Sequence, residues 1–281
     1  MDDERPRPAA DGGGQGPVDD VVALERENRI LGRRLHRLEE NVHRLEDFSD
    51  SNSRLLSQVV KDLEVERARS HRLLLNVLPQ RIIDRLNAGE TLIADRHNDV
   101  TVLFSDLVGF TQISARLPTA DLINELNGLF SGFDAICEAT GVEKIKTIGD
   151  AYLAIGGLVV ETGDHRAAIA ETALRMVELV AARPVSGAGW QVRIGLESGP
   201  VAAGVIGTAK FAYDVWGDAV NVASRLEATS LPGHIHVSDA LAAALSDRYR
   251  LEPRGALEIK GKGSMTTWFL VGAREPAGRR G

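Results

Sequence analysis

The chain has 281 residues, with 33 Lys+Arg against 40 Asp+Glu and a formal charge of −7. That length holds one or two domains, and 43% hydrophobic with 26% charged residues is ordinary globular usage. No basic stretch serves nucleic acid or a membrane surface, no apolar run approaches the roughly 20 residues of a bilayer span, and the lone Cys137 allows no intrachain disulfide, so a soluble cytoplasmic protein is expected.

Residues 1–20 are rich in Pro, Gly and Asp, which reads as a disordered arm rather than a secretory signal. Residues 21–78 carry a heptad seam. Stepping alternately by four and three from Leu24 to Val77 meets sixteen positions, eleven of them apolar, without a slip in register. Leu35, Leu38, Val42 and Leu45 exemplify it, and Asn28 falls where a polar residue fixes the register of parallel dimers. A parallel coiled-coil homodimer is the reading preferred over a single amphipathic helix packed on its own domain. Polar Ser49 and Asn52 fall in the seam, so an interruption through 47–53 stays open. Pro79 ends or kinks the helix, and Arg81–Leu86 reads as a short helix inside a linker element at 79–96.

From 97 to 274 strands and helices mix. Val100–Phe104 reads as a buried strand, 119–139 as a helix between Pro118 and Gly141, and Val142–Ile148 with Ala151–Ile155 as two strands around Gly149-Asp150. A helix at 164–182 and a strand at Val192–Leu196 complete a β-α-β-β-α-β order, the ferredoxin-like split βαβ of an α+β fold. A strand at Val201–Ile206, a helix at Asp218–Ala228, a strand at His234–Val237, a short helix at 238–246 and a hairpin around Gly261–Gly263 follow. Residues 275–281 read as a disordered tail.

In that topology the first and third strands are antiparallel neighbours. Asp106 closes the first and Asp150 opens the third, so the two carboxylates are expected side by side at one sheet edge. Such a pair suits a hard divalent cation, since Mg²⁺ takes one or two carboxylates plus waters and substrate phosphates. The turn after Asp106 enters a helix near Phe110 and Thr111, whose first backbone N–H groups suit phosphate oxygens.

Three segments carry a resemblance: Phe104-Ser-Asp-Leu-Val-Gly-Phe-Thr111, Lys144-Ile-Lys-Thr-Ile-Gly-Asp-Ala-Tyr152 and Tyr213-Asp-Val-Trp-Gly-Asp-Ala-Val-Asn-Val-Ala-Ser-Arg225. Together they closely resemble the class III nucleotide cyclases, over about residues 97–272. His71-Arg-Leu-Leu-Leu-Asn-Val-Leu-Pro79 resembles the transducing helix that precedes such domains. The resemblance implies a cyclase catalytic domain at 97–274. It makes Asp106 and Asp150, with Leu107, the holders of two Mg²⁺ or Mn²⁺ ions per active site. Lys146 and Asp214 become the base-selecting pair, and Asn221 and Arg225 the pair that holds ribose and stabilises the transition state. Lys260 and Lys262 would touch the terminal phosphates. It also implies sites shared across a homodimer, metals from one chain and base contacts from the other.

These roles are physically coherent. Adenine offers an acceptor at N1 and a donor at N6; Lys146 has only donors and ionised Asp214 only acceptors. Guanine reverses that pattern. The expected activity is therefore that of an adenylate cyclase, converting ATP to 3′,5′-cyclic AMP and pyrophosphate, with a guanylate cyclase or a catalytically silent nucleotide sensor as alternatives. Only six lysines occur among 33 basic residues, and five of them lie from 144 onward, where the candidate site falls. The stretch 207–213 lacks the Arg that some relatives place before the Asp214 motif, so either Lys210 substitutes or that phosphate contact is missing.

Overall fold

The computed structural model describes residues 17–75, 77–158, 163–183, 190–207 and 211–274. The expected arm at 1–16, the tail at 275–281 and Lys210 lie outside the described residues. The chain divides into two compact units, Met1–Leu74 and Leu75–Gly281.

Among its described residues, the first unit is one helix, α1 (Pro17–Leu75). It begins inside the expected arm, so residues 17–20 are helical rather than disordered. It also runs unbroken through 47–53, because Ser49 and Asn52 weaken seam packing without breaking backbone hydrogen bonds. The seam side chains are exposed: Leu38 at 60%, Leu45 at 67% and Leu63 at 68%.

In the second unit, Pro79 (ψ 147°) precedes α2 (Gln80–Asn87). Ile82 and Ile83 of α2 are buried with Ile93, so the segment read as a linker contributes to the core of this unit. Then follow β1 (Ala94–Leu107), α3 (Phe110–Ser114), α4 (Thr119–Thr140), β2 (Glu143–Ile148), β3 (Ala151–Gly156), α5 (His165–Ala181), β4 (Val192–Ile206), β5 (Ala212–Trp216), α6 (Asp218–Ala228), β6 (Ile235–Ser238), α7 (Asp239–Leu245), β7 (Tyr249–Ile259) and β8 (Gly263–Ala273). The described strands form one sheet in the order β2-β3-β1-β4-β6-β8-β7, with β5 on β4. The expected β-α-β-β-α-β core is present, β1 lying antiparallel to both β3 and β4.

Two strand expectations change. Val192–Leu196 and Val201–Ile206 are one strand, because Pro200 sits at a bulge. Between the pairs Val100↔Gly199 and His97↔Val201, two residues of β1 oppose one of β4, so Pro200 interrupts the ladder without ending the strand. The second change is β5, absent from the sequence reading; it pairs Tyr213 with Val205 and Asp214 with Gly204.

The sheet carries a core on each face. Leu103, Leu107, Phe133, Ile169 and Met176 pack under α4 and α5. Val100, Val102, Leu153, Ala219 and Ala223 pack with α2 and α6. Strand alternation puts Phe104 and Asp106 on the α6 side, whereas Leu103 and Leu107 face α4 and α5.

Candidate functional site

Asp106 and Asp150 meet at the sheet edge. The register Ser105↔Tyr152 brings the end of β1 beside the β2–β3 turn, where Gly149 takes the left-handed φ of +65° that the tight turn requires. The carboxyls are within hydrogen-bonding reach of each other. Burial and then the adjacent Asp106 push Asp150 above the usual carboxylate range, while its own backbone N–H and Arg193 pull it back. Excess negative charge of this kind is what a divalent cation relieves. Two carboxylates suffice for an ion that completes its shell with water and phosphate, and no group of three or more metal-binding side chains occurs among the described residues. The donor set therefore fits such an ion. The Leu107 side chain is buried in the core, so only its carbonyl could join.

Arg193 was missed in the sequence, yet it organises this corner. It stands opposite Asp106 on β4. Its Nη2 donates to Asp106 Oδ2 at 2.8 Å, and its Nε donates to Glu227 Oε1 at 3.0 Å. Glu227 is 5% exposed, and burial, opposed by Arg193, pushes its carboxyl up to about 7. The folded chain thus holds a proton that the unfolded chain releases near the ordinary value of 4.5. The stabilising contribution is full below 4.5 and is lost as pH rises through about 7, a change on the order of 3 kcal/mol. Urea unfolding at pH 5 and pH 8, without divalent metal, checks this. Glu227→Gln is expected to abolish that part of the pH slope, and an unchanged slope would contradict the assignment.

Lys146 and Asp214, 68 residues apart, are brought into contact. Lys146 Nζ donates to Asp214 Oδ2 at 2.5 Å, and Asp214 Oδ1 accepts the backbone N–H of Val215 at 2.8 Å. A bulge between Lys144 and Lys146 sets the Lys146 side chain on this line, opposite Leu153. A cavity of about 600 Å³ opens beside Lys146, lined also by Leu78, Glu143, Thr147 and Tyr213. The neighbouring Lys144 is engaged elsewhere, with Asp134 at 2.7 Å.

Asn221 and Arg225 lie four apart on α6, on one helix face. The helix presses on β4 because residue 195 is glycine: a Cβ there would stand 2.1 Å from the carbonyl oxygen of Ala223. Arg225 reaches the β7–β8 turn, its Nη1 lying 3.3 Å from where a Cβ on Gly261 would be. The turn therefore places exposed Lys260 and Lys262 next to Arg225. Lys262 is ion-paired with Asp218 at the start of α6.

The expectation for Phe110 concerns its backbone N–H, and the side chain is engaged elsewhere. Its ring stacks on Trp190, with centroids 6.2 Å apart and planes at 26°, and packs against the core. The side chain belongs to the core because α3 starts directly over the buried Trp190. What remains for a ligand is backbone: the first N–H groups, those of Phe110 and exposed Thr111, have no intrahelical acceptor. Among the described residues, no side-chain hydrogen bond or ion pair joins Lys146–Asp214 to Asp106–Asp150.

Residues 92–272 match the model of the adenylate and guanylate cyclase catalytic domain. The chain belongs to the class III nucleotide cyclases. This cyclase is 44% identical over 217 residues to an adenylate cyclase of Mycobacterium tuberculosis, covering 76% of this chain and 49% of the relative. It is 37% identical over 267 residues to retinal guanylyl cyclase 2 of Mus musculus, covering 92% of this chain and 24% of that protein. The chain thus spans about half, or less, of the length of the curated relatives it matches. Among solved structures, the guanylate cyclase domain of RhGC from Catenaria anguillulae in complex with GTP aligns with TM-score 0.62 and 40% identity, over 64% of this chain and all of that one. Both adenylate and guanylate cyclases are thus among its relatives, and no helix among the described residues is long and apolar enough to cross a membrane.

Proposed function

We propose that this cyclase is an adenylate cyclase, forming 3′,5′-cyclic AMP and pyrophosphate from ATP. The observation that carries this reading is the Lys146–Asp214 contact: a donor-only and an acceptor-only side chain stand together, complementary to N1 and N6 of adenine and mismatched to guanine. In the reaction the ribose 3′-oxygen bonds to the α-phosphorus, the bond to the β-phosphate oxygen breaks, and the hydroxyl proton leaves to solvent. Asn221 holds the ribose, and Arg225 neutralises charge developing on the α-phosphate. Lys260, with Lys262, attracts the leaving pyrophosphate, and the Phe110 and Thr111 N–H groups receive phosphate oxygens. Asp106 and Asp150, with the Leu107 carbonyl, would hold Mg²⁺ or Mn²⁺, two ions per active site. When bound, these supply charge neutralisation and a lowered pKa for the attacking hydroxyl.

The functional unit in this reading is a homodimer. Exposed Ile148 precedes the Gly149-Asp150 turn, and exposed Ile206, Phe211 and Trp216 lie around Asp214; such an apolar fringe favours a partner subunit. The exposed heptad seam of α1 supports a parallel coiled coil as the second contact. A nucleotide substrate and a free thiol, Cys137, suit a cytoplasmic chain.

The test is turnover with Mn²⁺ and either ATP or GTP. kcat/KM for ATP is expected to exceed that for GTP roughly 10²-fold or more; a preference for GTP would establish the guanylate reading. A chain of residues 75–281, which keeps α2 and its buried isoleucines, is expected to dimerise more weakly and turn over more slowly. Equal dimer affinity by sedimentation would remove the coil from this picture.

A further inference from the structure

The Lys146–Asp214 pair is braced from behind by Arg81 of α2. The Arg81 guanidinium forks onto Glu143, with Nη1 at 3.0 Å from Oε2 and Nη2 at 3.0 Å from Oε1. Nη2 also donates to the Tyr213 hydroxyl at 2.7 Å, and Cζ lies 5.7 Å from the centroid of the Tyr213 ring. Glu143 opens β2, three positions before Lys146, and Tyr213 immediately precedes Asp214 in β5. Arg81 therefore grips both strands that carry the pair.

That grip matters because β2 and β5 share no backbone ladder. β2 pairs with β3, and β5 pairs with β4. Among the described residues, two side-chain bridges join them: the direct Lys146–Asp214 contact and the Glu143–Arg81–Tyr213 relay. A purine edge competes for the same ammonium and carboxylate that make the first bridge. The second uses none of those atoms and survives ligand binding. It is largely shielded, with side-chain exposures of 32% for Arg81 and 19% for Glu143, so solvent screens it less than a surface pair. A guanidinium that is bidentate to one partner and donates to the hydroxyl of the other fixes both in one geometry, which a lysine cannot do.

We infer that Arg81 is a positioning residue for base selection: it sets the spacing of Lys146 and Asp214 by tying Glu143 to Tyr213. The inference rests on the reading of Lys146 and Asp214 as base contacts. Its loss lets β2 and β5 drift, and drift of this kind weakens recognition of the correct base more than it slows the chemistry on the phosphate.

Steady-state kinetics of the full chain with ATP and with GTP test this. Arg81→Met is expected to raise KM for ATP about tenfold, with kcat within about threefold, and to lower the ATP-over-GTP ratio of kcat/KM by a similar factor. Arg81→Lys, which keeps one contact, recovers part of the ratio. Tyr213→Phe keeps the ring and removes only the hydroxyl acceptor, so it reproduces a severalfold loss and decides the matter if Arg81→Met does not fold. An unchanged ratio in Tyr213→Phe and Arg81→Met, or equal losses for both nucleotides, overturns the inference. Asp214→Ala, measured alongside, separates the two levels. If it moves the ratio while the others do not, Arg81 alone is misassigned; if it leaves the ratio unchanged, the base-contact reading fails with it.

Discussion

Replacing Asp106 with Ala is expected to lower cyclic nucleotide production about 10³-fold or more, with the fold intact, because it removes half of the proposed paired-carboxylate cation site. The stability cost is small by comparison. Asp106 is part-exposed at a strand end, and Arg193 keeps its second partner, Glu227, so no buried charge is stranded. Arg225→Ala is expected to be equally silent, for a different reason: it removes the positive charge that the proposed reaction sets against the α-phosphate. The two silent chains should rescue each other. When they are mixed and exchange partners, about half of the dimers are mixed, and each mixed dimer has one intact site of two, giving about a quarter of wild-type turnover. Absence of any recovery, with folding and exchange verified by circular dichroism and sedimentation, would end the shared-site homodimer.

The second large effect is on base choice. Lys146→Glu combined with Asp214→Cys is expected to cut kcat/KM for ATP about 10³-fold and to shift the ATP-over-GTP ratio toward GTP. Glu accepts from guanine N1–H and the exocyclic amine, while Cys removes the carboxylate that would repel guanine O6. The double change is the informative one. Lys146→Glu alone sets two carboxylates against each other at a contact that is 2.5 Å in the native chain, so its effect mixes repulsion with recognition. An ATP-over-GTP ratio unchanged by the pair would refute the assignment of Lys146 and Asp214.

Much of this cyclase is legible one segment at a time. The helix at 119–139, the short strands around Gly149-Asp150 and the helix at 218–228 follow from periodicity, a proline or glycine at an end, and the turn residues between them. The meeting of Asp106 with Asp150 was within reach for the same reason, since a split βαβ order makes their strands neighbours. The heptad of α1 is equally local, although the helix starts earlier, runs on past Ser49 and Asn52 and ends at Leu75, before the last seam position, Val77.

What escaped the reading depends on partners far away in the chain. Nothing near Pro200 reveals that two residues of β1 bulge opposite it and let one strand continue. Nothing near Arg193 reveals Asp106, 87 residues away, or the Glu227 whose proton it contests. Nothing near Phe110 reveals that its ring stacks on Trp190, 80 residues on, and leaves only its backbone N–H for a ligand. Arg81 appears as one more charge on a short helix until Glu143 and Tyr213 close around it.

Periodicity, capping and turn chemistry act between residues a few positions apart, so residue order alone carried the element types, the family motifs and the candidate carboxylates, lysines and arginine of the site. Strand register, bulges and the docking of α2 and α6 act between segments tens of residues apart. Only the folded sheet could therefore decide which charges face one another, which carboxyl is pushed toward its protonated form, and which arginine links the strands of the Lys146–Asp214 pair.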